Sequence, residues 1–269
     1  MTMRARLDVE MVRRGLVASR SEAADMIAAG VVTVAGAIAD KPSRLVAKGD
    51  PVNIAGPAPR YVSRGGEKLH HALAVFDVSL VHRSVLDAGS STGGFTDCSL
   101  QHGARRVAGF DVGKAQLHER LANDERVTQR DGVNVRNITT DELPFPCSLL
   151  VADVSFISLT KVLPALLAVL CGEEGFDTPE ALVLVKPQFE AGRQEVSKGR
   201  GIITDPRIWM EACDAVAECF STHGYGVCGV VESPIKGGDG NVEYLMYARR
   251  GVVGQTSHVV ASPTSGDMA

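Results

Sequence analysis

Apolar positions along the chain follow two different rhythms. In residues 6–34, Leu7, Met11, Val12 and Leu16 recur at helical spacing, and Gly15 ends that stretch. Ser19 or Ser21 is placed to cap a second helix, with Ala23, Ala24, Ile27 and Ala28 as its apolar face and Gly30 as its stop. Val31–Val34 then reads as a strand turning at Gly36. Residues 49–60 hold three prolines and two glycines, the mark of a strand end followed by a linker.

From residue 84 the rhythm changes. Short β-branched runs at Ser84–Asp87, Arg106–Val112, Val127–Asp131, Leu149–Val154 and Ala181–Lys186 alternate with helical stretches near 93–102, 114–122, 158–171 and 205–222. Parallel strands need crossover helices, so this alternation predicts a parallel, doubly wound α/β sheet. The last two runs, 226–233 and 241–249, are separated only by a glycine-rich turn and are expected to pair antiparallel. Residues 251–269 are rich in Ser, Thr, Gly and Pro and are expected to form a disordered tail. The division expected is 1–59 as a small α+β domain, 60–63 as a linker and 64–250 as the large α/β domain.

Composition narrows the classes. The 269 residues are 45% apolar and 22% charged, ordinary for a folded chain. The longest apolar run is Val162–Cys171, about half of what a membrane span needs. The start of the chain is charged and lacks an apolar secretory core. Six cysteines show no CxxC or Cys/His metal spacing, so free thiols in a cytoplasmic protein without a metal are expected. The net charge of −4 hides an asymmetry. Residues 1–60 hold nine Lys/Arg and six Asp/Glu, a net of +3, and the remainder nets −7. Arg4, Arg6, Arg13, Arg14, Arg20, Lys41 and Arg44 make the head basic, which suits a phosphate backbone.

Two sets of residues carry candidate chemistry. The first is the loop of Asp87, Gly89, Ser90, Gly93, Gly94 and Phe95 between a strand and a helix, where glycines allow a ligand close to the backbone. It lacks the Walker Gly-Lys-Ser/Thr and the GxGxxG spacing. Asp111, one strand later, suits a ribose diol. Together these fit S-adenosylmethionine, with Asp87 or the loop backbone near the methionine part and Asp131 near the adenine. The second set is Lys68, Asp153, Lys186 and Glu243, read as charges presented together at strand ends. A partly desolvated lysine beside another ammonium becomes a base able to activate a ribose hydroxyl, with the carboxylates as orienting groups. Asp153-Val154-Ser155-Phe156 lacks the two prolines usual where exocyclic amines are methylated, which favours an oxygen acceptor. Either lysine fits the role of base at this point.

With these residues in view, residues 63–249 resemble the FtsJ/RrmJ-type ribose 2′-O-methyltransferases, whose Lys-Asp-Lys-Glu tetrad falls on Lys68, Asp153, Lys186 and Glu243. Residues 6–46 resemble the RNA-binding domain of ribosomal protein S four, through Arg6-Leu7-Asp8, Arg14-Gly15-Leu16, Ser19-Arg20 and Gly30-Val31-Val32. The combination is similar to the TlyA family. The resemblance implies a Rossmann-like seven-strand sheet with the last strand antiparallel. It also implies methylation of cytidine ribose in 16S and/or 23S ribosomal RNA of the ribosomal subunits, with Lys186 as base. Similar proteins are also named hemolysins, so a membrane-active cytolysin and a non-catalytic RNA-binding factor are the alternatives. One departure is Ala35, in Val34-Ala35-Gly36, where Val-Asn-Gly is common.

Overall fold

A computed structural model describes residues 4–17, 20–28, 30–55, 59–192, 199, 201–238 and 240–253. The expected cap at Ser19 and nearly all of the expected tail lie outside these residues. The chain divides into two compact units after Arg64.

In the first unit, β1 (Arg4–Arg6) leads directly into α1 (Leu7–Arg13), and α2 (Arg20–Ala28) follows. Short strands β2 (Val32–Val34), β3 (Ala37–Ile38), β4 (Leu45–Ala47) and β5 (Val52–Ile54) complete it. The sheets are β3-β2-β5 and β1-β4, both antiparallel. Leu7 and Met11 of α1, Ala23 and Ile27 of α2, and Val32, Val34 and Val46 share one core. The helical periodicity was sufficient to place α1 and α2, whereas two- and three-residue strands such as β1 and β3 carry no readable alternation. The β2–β3 turn is Ala35-Gly36, with φ of +51° and +82°. That is the mirror-image hairpin turn that favours Asn or Gly at its first position.

The second unit opens with α3 (Gly65–Phe76), followed by β6 (Ser84–Ala88), α4 (Gly94–Gln101), β7 (Arg106–Asp111), α5 (Glu119–Ala122) and β8 (Val127–Asp131). Then come β9 (Leu149–Ala152), α6 (Leu163–Ala168), β10 (Glu180–Val185), α7 (Pro187–Glu190), α8 (Pro206–Thr222), β11 (Tyr225–Glu232) and β12 (Tyr244–Arg250). The seven strands lie in the order β11-β12-β10-β9-β6-β7-β8, with β12 antiparallel to both neighbours and the rest parallel to one another. Both faces are covered, which is why the central strands read as continuous apolar runs. Leu86, Leu150, Val183 and Met246 face α6 and α8 in one core. On the other face, Asp87 meets Thr96 of α4, and Tyr247 stacks on Phe76 of α3. Helix α8 starts at Asp205, whose side chain accepts from the Arg207 N–H, and buries Ala212, Cys213, Val216 and Phe220.

Two expectations are corrected here. Lys68 sits in the first turns of α3, not at a strand end, because Leu69, Ala72 and Leu73 give that stretch a buried helical face despite Gly65-Gly66. The helix expected over 114–122 forms only at Glu119–Ala122, since Asp131 and the Thr92 carbonyl capture the backbone of Ala115 and His118 in a loop. No helix among the described residues is long and apolar enough to cross a membrane.

Candidate active site

Strands β6, β9 and β10 end at one edge of the sheet, and β12 begins there. Val185 stands opposite Tyr244 in the antiparallel ladder, so the next residues outward, Lys186 and Glu243, occupy facing register positions. Asp153 follows Ala152 at the end of the neighbouring β9. The expected quartet is thus gathered at one edge, but as two distinct pairs. Lys186 Nζ lies 2.5 Å from Asp153 Oδ1 and donates to Ser155 Oγ at 2.9 Å. Lys68 Nζ lies 2.5 Å from Glu243 Oε2, with both side chains nearly enclosed. A charge removed from water is tolerated only when paired, and each pair satisfies that condition.

Beside Asp153 opens a cleft of about 610 Å³, within the range of small-molecule sites. Gly89 forms part of its wall at φ +82°, and a Cβ there would meet the Asp153 carbonyl oxygen at 2.6 Å. Only glycine lets the loop after β6 lie against the end of β9. Asp111 also lines the cleft. Its Oδ2 accepts from the Ser91 N–H at 2.8 Å and its Oδ1 from the Gly113 N–H at 2.6 Å. Each carboxylate oxygen keeps a second acceptor position, enough for a vicinal diol.

Asp87 lies beneath the loop, fully buried and outside the lining. Burial pushes its carboxyl up to about 7, opposed by the hydrogen bond from Thr96 Oγ1 and reinforced by Asp153 and Asp111. Its Oδ1 meets no hydrogen-bond partner among the described residues. The fit to an aminoacyl nucleoside such as S-adenosylmethionine rests instead on the cleft lining, with glycine backbone at Gly89 and a diol acceptor at Asp111.

The remaining loop residues shape the backbone. Ser90 is buried and bonds Gln129, and Phe95 is buried in α4. Gly93, at φ +95°, precedes Gly94 at the helix start, and a Cβ on Gly93 would collide with the Leu121 side chain. Asp131 is the residue expected near the adenine end. Its carboxylate accepts from the Ala115 N–H and Gln129 Nε2, and it does not line the cleft. Val133, Asn134 and Val135 line it instead, with Gln116, Val154, Phe156 and Ile157. Gln116, Val133, Asn134 and Val135 were not singled out from sequence, whereas Val154 and Phe156 belong to the Asp153-Val154-Ser155-Phe156 motif read there. The available signal was Asn134, a polar residue two beyond the glycine that ends β8. Phe156 is 91% exposed and has φ +64°, a conformation that a bulky aromatic rarely adopts. Non-glycine backbone of this kind concentrates at functional sites.

The basic residues of the first unit are less uniform than their charges suggest. Asp8, nearly enclosed, holds Arg6 and Arg20, and Glu10 holds Arg13 and Arg14. The Arg6 and Arg20 guanidiniums beside Asp8 hold its carboxyl at about 2. Arg14 also donates to the carbonyls of Ala47, Lys48 and Asp50, tying α1 to the β4–β5 turn. It is a strut of the fold. Arg4, Arg6, Arg13, Arg20 and Lys41 are exposed, as a phosphate-binding surface requires.

The profile of the FtsJ-like methyltransferase family matches residues 61–250, and that of the S4 domain matches residues 5–52. A Mycobacterium tuberculosis protein named 16S/23S rRNA (cytidine-2′-O)-methyltransferase TlyA is 42% identical over 93% of this chain and 91% of its own. Hemolysin A of Brachyspira hyodysenteriae is 41% identical over 90% of this chain and 98% of its own. The solved structure of a hemolysin-named protein from Streptococcus thermophilus superposes with a TM-score of 0.74. It is 38% identical and covers 98% of this chain and 94% of that one.

Proposed function

The chain belongs to the TlyA family of FtsJ-like methyltransferases, and from that premise we propose that it methylates the 2′-hydroxyl of cytidine in 16S and/or 23S ribosomal RNA. The methyl donor is S-adenosylmethionine, the substrate is carried by the ribosomal subunits, and the reaction takes place in the cytoplasm. The observation that carries this reading is the Lys186–Asp153–Ser155 cluster beside the cleft. It places a lysine amine next to a site built for an aminoacyl nucleoside.

Asp111 would hold the donor's ribose diol, and Gly89 would give its backbone to the aminoacyl part. When bound, the donor supplies an electrophilic methyl group on a sulfonium. Asp153 and Ser155 fix two of the three positions around Lys186 Nζ, leaving the third for the substrate hydroxyl. The Lys186 amine, once deprotonated, would take the hydroxyl proton as the ribose oxygen acquires the methyl group. The bound donor would give up that methyl and keep the electron pair on its sulfur. Lys186 is favoured as base because both of its partners line the cleft, whereas Lys68 is closed off by Glu243. Lys68 and Glu243 then act as positioning residues at the sheet edge.

The S4 domain supplies phosphate contacts through Arg4, Arg6, Arg13, Arg20 and Lys41. A cytidine rotated out of its stack would expose its 2′-hydroxyl to Lys186. The test is incubation of purified ribosomal subunits with labelled S-adenosylmethionine, followed by nuclease digestion. Label in 2′-O-methylcytidine is expected. Label confined to bases, or to other nucleosides, would refute the assignment.

A further inference from the structure

Lys186 and Glu190 lie one helical turn apart, with the Glu190 N–H donating to the Lys186 carbonyl at 3.2 Å. Between them they grip both ends of the segment 153–159. Lys186 Nζ holds Asp153 and Ser155 at its near end. The Phe189 ring lies 5.3 Å from that of Phe156 in the middle. At the far end Glu190 Oε2 accepts from Ser158 Oγ at 2.5 Å, and Oε1 from the Leu159 N–H at 2.7 Å. The order of these contacts follows the order of residues on both strands of chain.

The gripped segment is a wall of the cleft, through Asp153, Val154, Ser155, Phe156 and Ile157. It contains the left-handed turn at Phe156, a conformation that persists only where the surroundings fix it. Asp153 is further anchored by its N–H, which donates to the Ala88 carbonyl at 3.0 Å. Without Glu190, the far end would keep the core packing of Leu159 but lose the carboxylate that holds Ser158 Oγ and the Leu159 N–H, and the turn at Phe156 would be freer to relax. Burial pushes the Glu190 carboxyl up, and the bonds from Ser158 and Leu159 draw it back down, so this acid spends its acceptor capacity on the segment.

We propose that Glu190 is a positioning residue, whose carboxylate fixes the far end of the 153–159 segment and thereby holds the cleft wall, Asp153 and Lys186 in working geometry. This rests on the cleft being the methyl donor's site. A residue that merely stabilised the fold would lower the melting midpoint without changing how the folded protein binds or reacts.

The test uses the full chain as wild type, Glu190→Ala and Glu190→Gln. Three quantities are measured: S-adenosylmethionine affinity by calorimetry, the melting midpoint, and single-turnover methyl transfer to ribosomal subunits at saturating donor. Glu190→Ala is expected to weaken donor binding about tenfold and to slow transfer on the order of 10–100-fold, the scale of a small misplacement of reacting groups. Glu190→Gln should stay within about threefold on both counts, because its amide can accept from Leu159 and donate to Ser158 Oγ. A folded Glu190→Ala protein with wild-type affinity and rate would overturn the proposal, as would a Gln variant as impaired as Ala. Should Glu190→Ala not fold, Ser158→Ala removes one anchor and is expected to show a smaller loss in the same direction; no loss overturns the proposal. If the wild type binds the donor but methylates no ribosomal RNA, the substrate assignment fails while donor affinity still decides the role of Glu190. A wild type that binds no donor overturns both.

Discussion

The Lys68–Glu243 pair gives the sharpest energetic test of how the site is built. Its side chains are 11% and 3% exposed, and Nζ and Oε2 are 2.5 Å apart. Replacing Lys68 with Ala leaves the Glu243 carboxylate enclosed without its cation. Breaking a buried pair from one side costs about 3–5 kcal/mol. Total stabilities run only about 5–15 kcal/mol, so the change is a large fraction of the whole. For a unit of this size each kcal/mol moves the melting midpoint by about 2–4 °C, giving an expected drop of roughly 6–20 °C. Removing both charges in Lys68→Met/Glu243→Leu should recover most of that loss, since paired apolar replacements are often neutral. Thermal denaturation followed by circular dichroism, arranged as a double-mutant cycle, gives the coupling directly. The double variant should still bind S-adenosylmethionine, because neither residue lines the cleft. A midpoint for Lys68→Ala within about 2 °C of wild type would refute the reasoning, by showing that the pair is not desolvated.

Four further outcomes follow. Ala35→Asn should stabilise the first unit by about 1 kcal/mol, because Ala35 is held at φ +51° where an L residue without a local hydrogen bond is strained; slower hydrogen exchange at Ala37 and Ile38 checks this, and unchanged exchange counts against it. Asp87, raised to about 7, keeps a native proton that the unfolded chain loses above about pH 4, so it makes stability fall as pH rises from about 4 to 7. Melting midpoints of Asp87→Asn should lack that decline, and an identical pH profile would contradict the buried, orphaned carboxylate. Arg14→Ala should lower the stability of the first unit by about 1–3 kcal/mol through three lost carbonyl bonds. Lys41→Ala should instead leave stability intact and reduce the salt slope of RNA binding by about one. Filter binding over a salt series separates the two.

Much of the second unit was legible because its central strands are apolar on both faces and end in charges. Asp153 and Lys186 could be found by reading outward along β9 and β10. The antiparallel β12 was legible from the short glycine-rich connection. Lys68 was misplaced because Gly65-Gly66 disguises a helix whose stability comes from burying Leu69, Ala72 and Leu73. Asp131 and Asp111 looked equivalent, and each carboxylate accepts from loop N–H groups, Ala115 for one and Ser91 and Gly113 for the other. The roles of Arg14 and Glu190 depend on partners more than thirty residues away, on the β4–β5 turn and at Ser158–Leu159. Spacing places Glu190 one turn after Lys186 and says nothing of what its carboxylate meets.

The central claim is that Lys186 accepts the ribose proton while its partners shape the donor cleft. Lys186→Met keeps an unbranched stem of similar bulk and removes the amine. Single-turnover methyl transfer to ribosomal subunits at saturating donor should fall by about 10²–10⁴-fold, the usual contribution of a positioned base, over and above any weaker S-adenosylmethionine binding from a loosened cleft wall. Transfer at the wild-type rate by a Lys186→Met protein that binds the donor normally would contradict the account.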